Sequence, residues 1–331
     1  MMRASGRFLG RLLLILGLIG ATLWWFGPYE PVDLHAEFEP RRFGEGVQVY
    51  FESTESAHDD ITPGVEKRVI WQPGMKERRT PVSVLYVHGF SATSEEIRPV
   101  PDRVADALGA NLVYTRLSGH GRGADAMALA TVNDWMRDVA EGLAAARAVG
   151  DRVVVIATST GGTLAVAAAL DPDMSRDVAA LVLISPNFGI ADPGAWALTL
   201  PAARYWLPLV AGTDYGFEPS SDDHAKFWTT LYPTRALLPM AALVKRVAAM
   251  DVSRAAIPAL FLISDSDTVV RPDITRAIAA RWGAPAVVQM VEMGDGDDPD
   301  AHVITGDIRS PGQTEQTVRD IMDWLDRQER M

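Results

Sequence analysis

The chain has 331 residues, 48% of them hydrophobic, a formal net charge of −12 and no cysteine. That length and apolar content suit one large core with an insertion, while the acidic balance excludes a nucleic-acid footprint and disfavours phosphate-rich partners. The lack of cysteine excludes a thiol nucleophile, disulfides and thiolate metal sites, and suits an oxidising compartment.

In chain order, Arg3, Arg7 and Arg11 come first, then the apolar stretch Leu12 to Phe26. Counted from Phe8 with Arg11 snorkelling, the stretch reaches nineteen residues, which at ~1.5 Å per residue approaches the ~30 Å hydrocarbon core of a bilayer. Trp24, Trp25 and Phe26 would form the far interface, and Glu30, Asp33, Glu37 and Glu39 follow. Residues 1–27 are therefore expected to be a membrane anchor with its N-terminus inside, placing the rest of the chain on the outer, periplasmic or extracellular face. A cleaved signal peptide is the competing reading, but Ile19 occupies the −3 place of a cleavage near Ala21.

Residues 28–80 hold Pro28, Pro31, Pro40, Pro63 and Pro73 among mixed charges, the pattern of a tether with edge strands such as Glu66 to Trp71. From 81 onward strands alternate with helices. Strands are expected near 82–88, 111–116, 153–157, 180–185, 258–264 and 286–292, with helices near 95–108, 134–149, 160–170, 273–282 and 312–329. Alternation of this kind, with Val-, Leu- and Ile-rich strands lacking polar alternation, predicts an α/β fold with a mostly parallel sheet covered on both faces. About seventy residues separate the strand ending at Ser185 from the one beginning at Pro258, more than a crossover needs. They are expected to form a helical cap at about 187–256. Its Trp196, Tyr205, Trp206, Phe217, Phe227, Trp228 and Tyr232 suggest an apolar pocket for an acyl or aromatic group.

The strand Val153 to Ala157 runs through Thr158-Ser159-Thr160-Gly161-Gly162 into an alanine-rich helix. This is the pattern of a nucleophile elbow, a strained turn that lifts a serine hydroxyl above the sheet edge and needs small residues two positions away on either side. Ala157 and Gly161 fill those places, Ala157 where glycine is usual. An acid and a histidine must follow the serine. Of six histidines only His224 and His302 do; His302 follows the expected last strand and precedes the terminal helix, which selects it. The preceding strand ends in Ser264-Asp265-Ser266-Asp267. Asp267 is the better acid and Asp265 the alternative, because one residue of slippage exchanges them. An oxyanion hole requires backbone donors, and the turn His88-Gly89-Phe90 would set the Phe90 amide beside that of Thr160. His88 then serves the turn.

His88-Gly89-Phe90, Arg116-Leu117-Ser118-Gly119-His120-Gly121, Thr131 to Trp135, the serine elbow, Asp267 and His302, in that order, resemble the α/β-hydrolase superfamily. The likeness covers residues from about 80 to 330 and is greatest to the branch of monoglyceride lipases, carboxylesterases and serine aminopeptidases. The resemblance implies the α/β-hydrolase fold and a serine hydrolase acting on a small-molecule ester or acyl substrate through an acyl-enzyme. It gives His120 no catalytic role. A serine aminopeptidase or acyltransferase on the same scaffold is the alternative, and a non-catalytic binding module is a third reading. Glu218, Asp222 and Asp223, the carboxylates a peptidase would use to bind an amine, read as a surface turn. No cofactor is expected. Asp295, Asp297, Asp298 and Asp300 before His302 lack the twelve-residue calcium-loop pattern, so no metal is expected and the run reads as a solvated loop. Its field should favour protonated His302 and move the activity optimum upward in pH.

Overall fold

The structure is a computed structural model that describes residues 2–329, with side chains described from Gly10 onward except at positions 16 and 329. The helix α1 (Met2–Phe26) is followed by α2 (Val47–Glu55), β1 (Arg68–Ile70), β2 (Thr80–Val87), α3 (Val100–Leu108), β3 (Asn111–Tyr114), α4 (Ala124–Met127) and α5 (Val132–Val149). Then come β4 (Gly150–Thr158), α6 (Thr160–Ala169), β5 (Val178–Ile184), α7 (Ala203–Ala211), β6 (Asp214–Gly216), α8 (Asp222–Phe227), β7 (Leu231–Pro233) and α9 (Leu237–Ala248). The chain closes with β8 (Ala259–Ile263), α10 (Pro272–Ala279), β9 (Ala286–Met290) and α11 (Thr314–Glu329).

Seven strands form one sheet in the order β1-β3-β2-β4-β5-β8-β9. All neighbours run parallel except the edge strand β1, which pairs with β3 antiparallel. The interior strands are apolar on both faces because both faces are covered. Leu85, Val87, Val155, Ala157, Leu183 and Phe261 pack on one side with α5, α6 and α9. Val84, Tyr86, Ile156, Val182, Ile184 and Leu262 pack on the other with α3 and α11. Period-two alternation of direction with no change of polarity is what produces two cores from one sheet.

Residues 28–80 do more than the extended tether expected of them. Val47-Gln48-Val49-Tyr50-Phe51 is rich in strand formers but folds as a helix, because Val47 and Phe51, one turn apart, are both buried in the larger core. Tertiary burial outweighs intrinsic preference here. A buried ionic clasp then ties the segment down. The Arg116 guanidinium donates to both oxygens of Glu55 at 2.7 and 2.8 Å, and Lys67 Nζ donates to Asp138 at 2.9 Å and Glu141 at 2.5 Å.

The anchor expectation is corrected. Among the described residues no helix is long and apolar enough to cross a membrane. The uninterrupted stretch Leu12 to Phe26 is fifteen residues, which at ~1.5 Å per residue spans roughly 22 Å of a ~30 Å core. Extending it backward would place Arg11 inside the lipid. The side chains of Arg3, Arg7 and Phe8, on which that expectation also rested, lie outside the described ones. The outward-facing location falls with the anchor, as does the membrane as a partner. The segment just after α1 docks instead on the chain itself: the Ala202 amide donates to Pro28 O at 2.7 Å, and Arg204 pairs with Glu30 at 2.5 Å.

Candidate active site

Every residue gathered at the site lies in a loop that follows the carboxyl end of a parallel strand, the edge where side chains from successive strand-to-helix connections converge. Ser159 stands between β4 and α6 with φ 51° and ψ −118°, a positive φ that a residue with a Cβ adopts only under constraint. Two hydrogen bonds hold it there: its amide donates to Ile184 O and its carbonyl accepts from the Asn187 amide, both at 3.0 Å. Gly161 shows why the turn needs glycine after the serine. A Cβ there would stand 2.3 Å from Val87 O and 2.5 Å from His88 O. Ala157 makes no such demand, since it is an ordinary buried strand residue paired with Val87 and Leu183.

Asp267, in the loop after β8, accepts the Val269 and Val270 amides on Oδ1 at 2.8 and 2.9 Å. This fixes the carboxylate and leaves Oδ2 for His302 Nδ1, 2.9 Å away. A ring nitrogen facing a carboxylate carries the proton, so Nε2 is left as an acceptor, and Ser159 Oγ lies 3.0 Å from it. Burial alone would lower the histidine's pKa, but the charge and hydrogen bond of Asp267, aided by Glu96 and Asp298, raise it above the ordinary value. Such an arrangement can pass a proton from Oγ to Nε2. Asp265 points elsewhere: its exposed carboxylate pairs with Arg276.

The turn after β2 is held as firmly. His88, fully buried, accepts the Leu117 amide on Nε2 at 3.0 Å, so its Nδ1 donates to Gly89 O at 2.9 Å. Burial and the neighbouring His120 push its pKa well down, so it stays neutral. With the Gly89 carbonyl held by the imidazole, planarity of the peptide directs the Phe90 N–H the opposite way. Thr160 is the first residue of α6, where an amide has no carbonyl four residues back to serve. His120 is buried against Phe90 and Trp135, and desolvation lowers its pKa to about 4. His224 lies apart on α8, beside Ser220 and Arg309.

Two residues of the site were not read from the sequence. Asp298, expected in a solvated run, is buried; its Oδ2 accepts the His302 and Val303 amides at 3.2 and 2.8 Å, and Arg309 neutralises it. It shapes the loop that presents His302. Asp297 likewise serves the loop, accepting from Gly294, Gly312 and Gln313. Among the described residues no group of three or more His, Cys, Asp or Glu could hold a metal ion. The second, Glu96, had no local signal beyond its place before a helix. The cap aromatics disperse: Tyr232 packs edge-on to Phe90 at 5.5 Å and Trp228 is buried, whereas Trp196 and Tyr205 are exposed.

The comparisons with known proteins agree with this architecture. The chain is 30% identical over 192 residues to a thermostable monoacylglycerol lipase of Bacillus sp. (strain H-257), a match covering 58% of this chain and 73% of that one. Among solved structures, it is similar to a metagenome-derived lipolytic enzyme described with LipS and LipT, at TM-score 0.66 and 20% identity over 81% of this chain and 99% of that one. It also resembles a soluble variant of monoglyceride lipase from Saccharomyces cerevisiae, at TM-score 0.56 and 13% identity over 80% and 91% of the two chains. These structural likenesses speak for the fold. The alpha/beta hydrolase family matches residues 84–304, two thirds of the length and every strand from β2 to β9 in whole or in part, and the chain belongs to that family, as a lipase- or esterase-like member.

Proposed function

We propose that the chain is a serine esterase that cleaves small carboxylic esters through an acyl-enzyme, with Ser159 as nucleophile, His302 as base and Asp267 as the acid that orients it. The observation that carries this reading is the relay of 3.0 Å from Ser159 Oγ to His302 Nε2 and 2.9 Å from His302 Nδ1 to Asp267. His302 takes the serine proton as Oγ bonds to the ester carbonyl carbon. The oxyanion that develops is met by the Phe90 and Thr160 amides, and collapse of the intermediate expels the alcohol with the proton from Nε2. Water, deprotonated by the same nitrogen, then releases the acid. No cofactor enters this cycle.

The lipase relative supports an ester as substrate. In this reading residues 81–331 form the hydrolase unit, with a cap at about 187–256 contributing Tyr232 beside the Phe90 turn, and residues 28–80 brace it from the outside. A peptidase is disfavoured because Glu218, Asp222 and Asp223 are all exposed. The test is labelling with a fluorophosphonate probe together with hydrolysis of p-nitrophenyl esters of increasing acyl length. Wild type should label and turn over, and Ser159→Ala should do neither while keeping its fold. Retained labelling in Ser159→Ala would overturn the assignment.

A further inference from the structure

Glu96 lies between β2 and α3 and is 2% exposed. Its Oε2 accepts the Gly89 amide at 2.7 Å and the Tyr86 hydroxyl at 2.9 Å, and that hydroxyl is 3.2 Å from Oγ1 of Thr158, the residue before Ser159. Its Oε1 lies 2.6 Å from the point where a Cβ on Gly89 would stand, and Ser159 Cβ lies 3.1 Å from the same point. The carboxyl and the serine therefore close on Gly89 together. Among the described residues no lysine or arginine pairs with Glu96. The titratable groups that face it are Tyr86 from β2 and His302 from the loop after β9; those facing His302 are Asp267, Asp298 and Glu96. Holding one amide needs only a neutral oxygen, so a buried carboxyl without a cation is an expensive way to do it.

We propose that Glu96 is a positioning residue for ester cleavage: it fixes the Gly89 turn against Ser159 and, as a carboxylate, sustains the imidazolium that forms when His302 takes the serine proton. This rests on the serine-esterase reading above. Asp267 acts on His302 from its Nδ1 edge by direct contact; Glu96 acts on it through the field across the site. Burial pushes the Glu96 pKa up to about 7, with the Gly89 amide, Tyr86 and His302 pulling the other way. Glu96 thus titrates near neutrality, within the electrostatic reach of His302.

The experiment is the pH profile of p-nitrophenyl ester hydrolysis by Glu96→Gln, which keeps an oxygen for Gly89 and removes the charge. The acid limb of kcat/KM should move down by about half a pH unit or more, since the imidazolium loses a neighbouring anion. The kcat at the optimum should fall about tenfold, with KM within about twofold. Tyr86→Phe removes the hydroxyl that favours the ionised carboxyl, and should move the limb in the same direction by less. A purely structural role would lower activity without moving the limb in either variant. A Glu96→Gln profile that overlays wild type overturns the proposal; if that protein fails to fold, an unshifted Tyr86→Phe profile does so. Wild type that takes no fluorophosphonate at Ser159 defeats the esterase reading itself, whereas a labelled Ser159 with an unmoved limb defeats only the role of Glu96.

Discussion

The ionic clasp and the serine site both bury carboxylates, on two sides of the 116–121 turn, and they treat Glu55 and Glu96 in opposite ways. In the clasp each carboxylate meets a cation. Burial would raise the Glu55 pKa, but the hydrogen bonds and charge of Arg116 outweigh it and hold it low. Burial would lower that of Lys67, but Asp138 and Glu141 outweigh it and hold the ammonium charged. At the site Asp267 meets backbone amides and one imidazole, and Glu96 meets an amide and a phenol. Burial raises Glu96, whereas the charge and hydrogen bond of Asp267 raise His302 against its burial. Glu55 and Lys67, paired with opposite charges, stay charged and hold the chain in place; Glu96, with no cation beside it, titrates near neutrality.

The largest expected effect separates a carboxylate of the site from one on the surface two residues away. Asp267→Asn should lower kcat by about 10⁴-fold, because an amide cannot enforce the tautomer that leaves Nε2 open. Asp265→Asn, which breaks only an exposed pair with Arg276, should stay within about twofold. Steady-state ester hydrolysis decides it, and the reverse ranking would move the acid to Asp265.

Next in size is the clasp. Glu55→Gln leaves the Arg116 guanidinium buried against a neutral partner, and truncating one side of such a pair costs about 3 kcal/mol or more. Denaturant unfolding should show that loss while the folded variant keeps the wild-type pH profile. A shifted profile would mean the two clusters are electrically joined across the turn. A smaller effect is read in the wild type. His302 must be neutral to accept the serine proton, and its pKa is raised, so the acid limb of kcat/KM should lie above the ordinary histidine value. A limb below it would remove the net field assigned to Asp267, Glu96 and Asp298.

These regions also differ in how far the chain disclosed them in advance. Ser159, Asp267 and His302 each follow a strand on the way to the next helix, so local pattern and chain order pointed to them, and the structure brings the three side chains within hydrogen-bonding distance. The strands were legible for a related reason, since a sheet buried on both faces leaves continuous apolar runs. The clasp was not legible: Glu55 and Arg116 are sixty-one residues apart and Lys67 and Glu141 seventy-four, and nothing near Glu55 distinguishes it from a surface glutamate. Asp298 was hidden because four aspartates in six residues look like a solvated run, whereas that one turns inward to cap the His302 loop. The N-terminal stretch shows the opposite error, where hydropathy invited a reading that its uninterrupted length does not support.

The smallest expected effect compares Glu96 with Glu55 by stability. The folded pKa of Glu96 is raised from 4.5 to about 7, so the folded state holds that proton more tightly than the unfolded one. Its contribution is present below the unfolded value and is lost as pH rises through about 7. Glu55 has the opposite sign. Its folded pKa is depressed, so its contribution is present above the unfolded value and is lost as pH falls through the folded one. Melting temperatures of wild type and Glu96→Gln, taken at pH 5 and pH 8, should therefore differ in the variant's favour by a few degrees more at the higher pH, while the deficit of Glu55→Gln should shrink toward acid. A difference for Glu96→Gln that is the same at both pH values would show that the carboxyl does not titrate near neutrality, and would leave it no different in kind from the clasp. A variant that gains stability at pH 8 while losing turnover there would mark Glu96 as a charge that costs the fold energy and is retained because the reaction uses it.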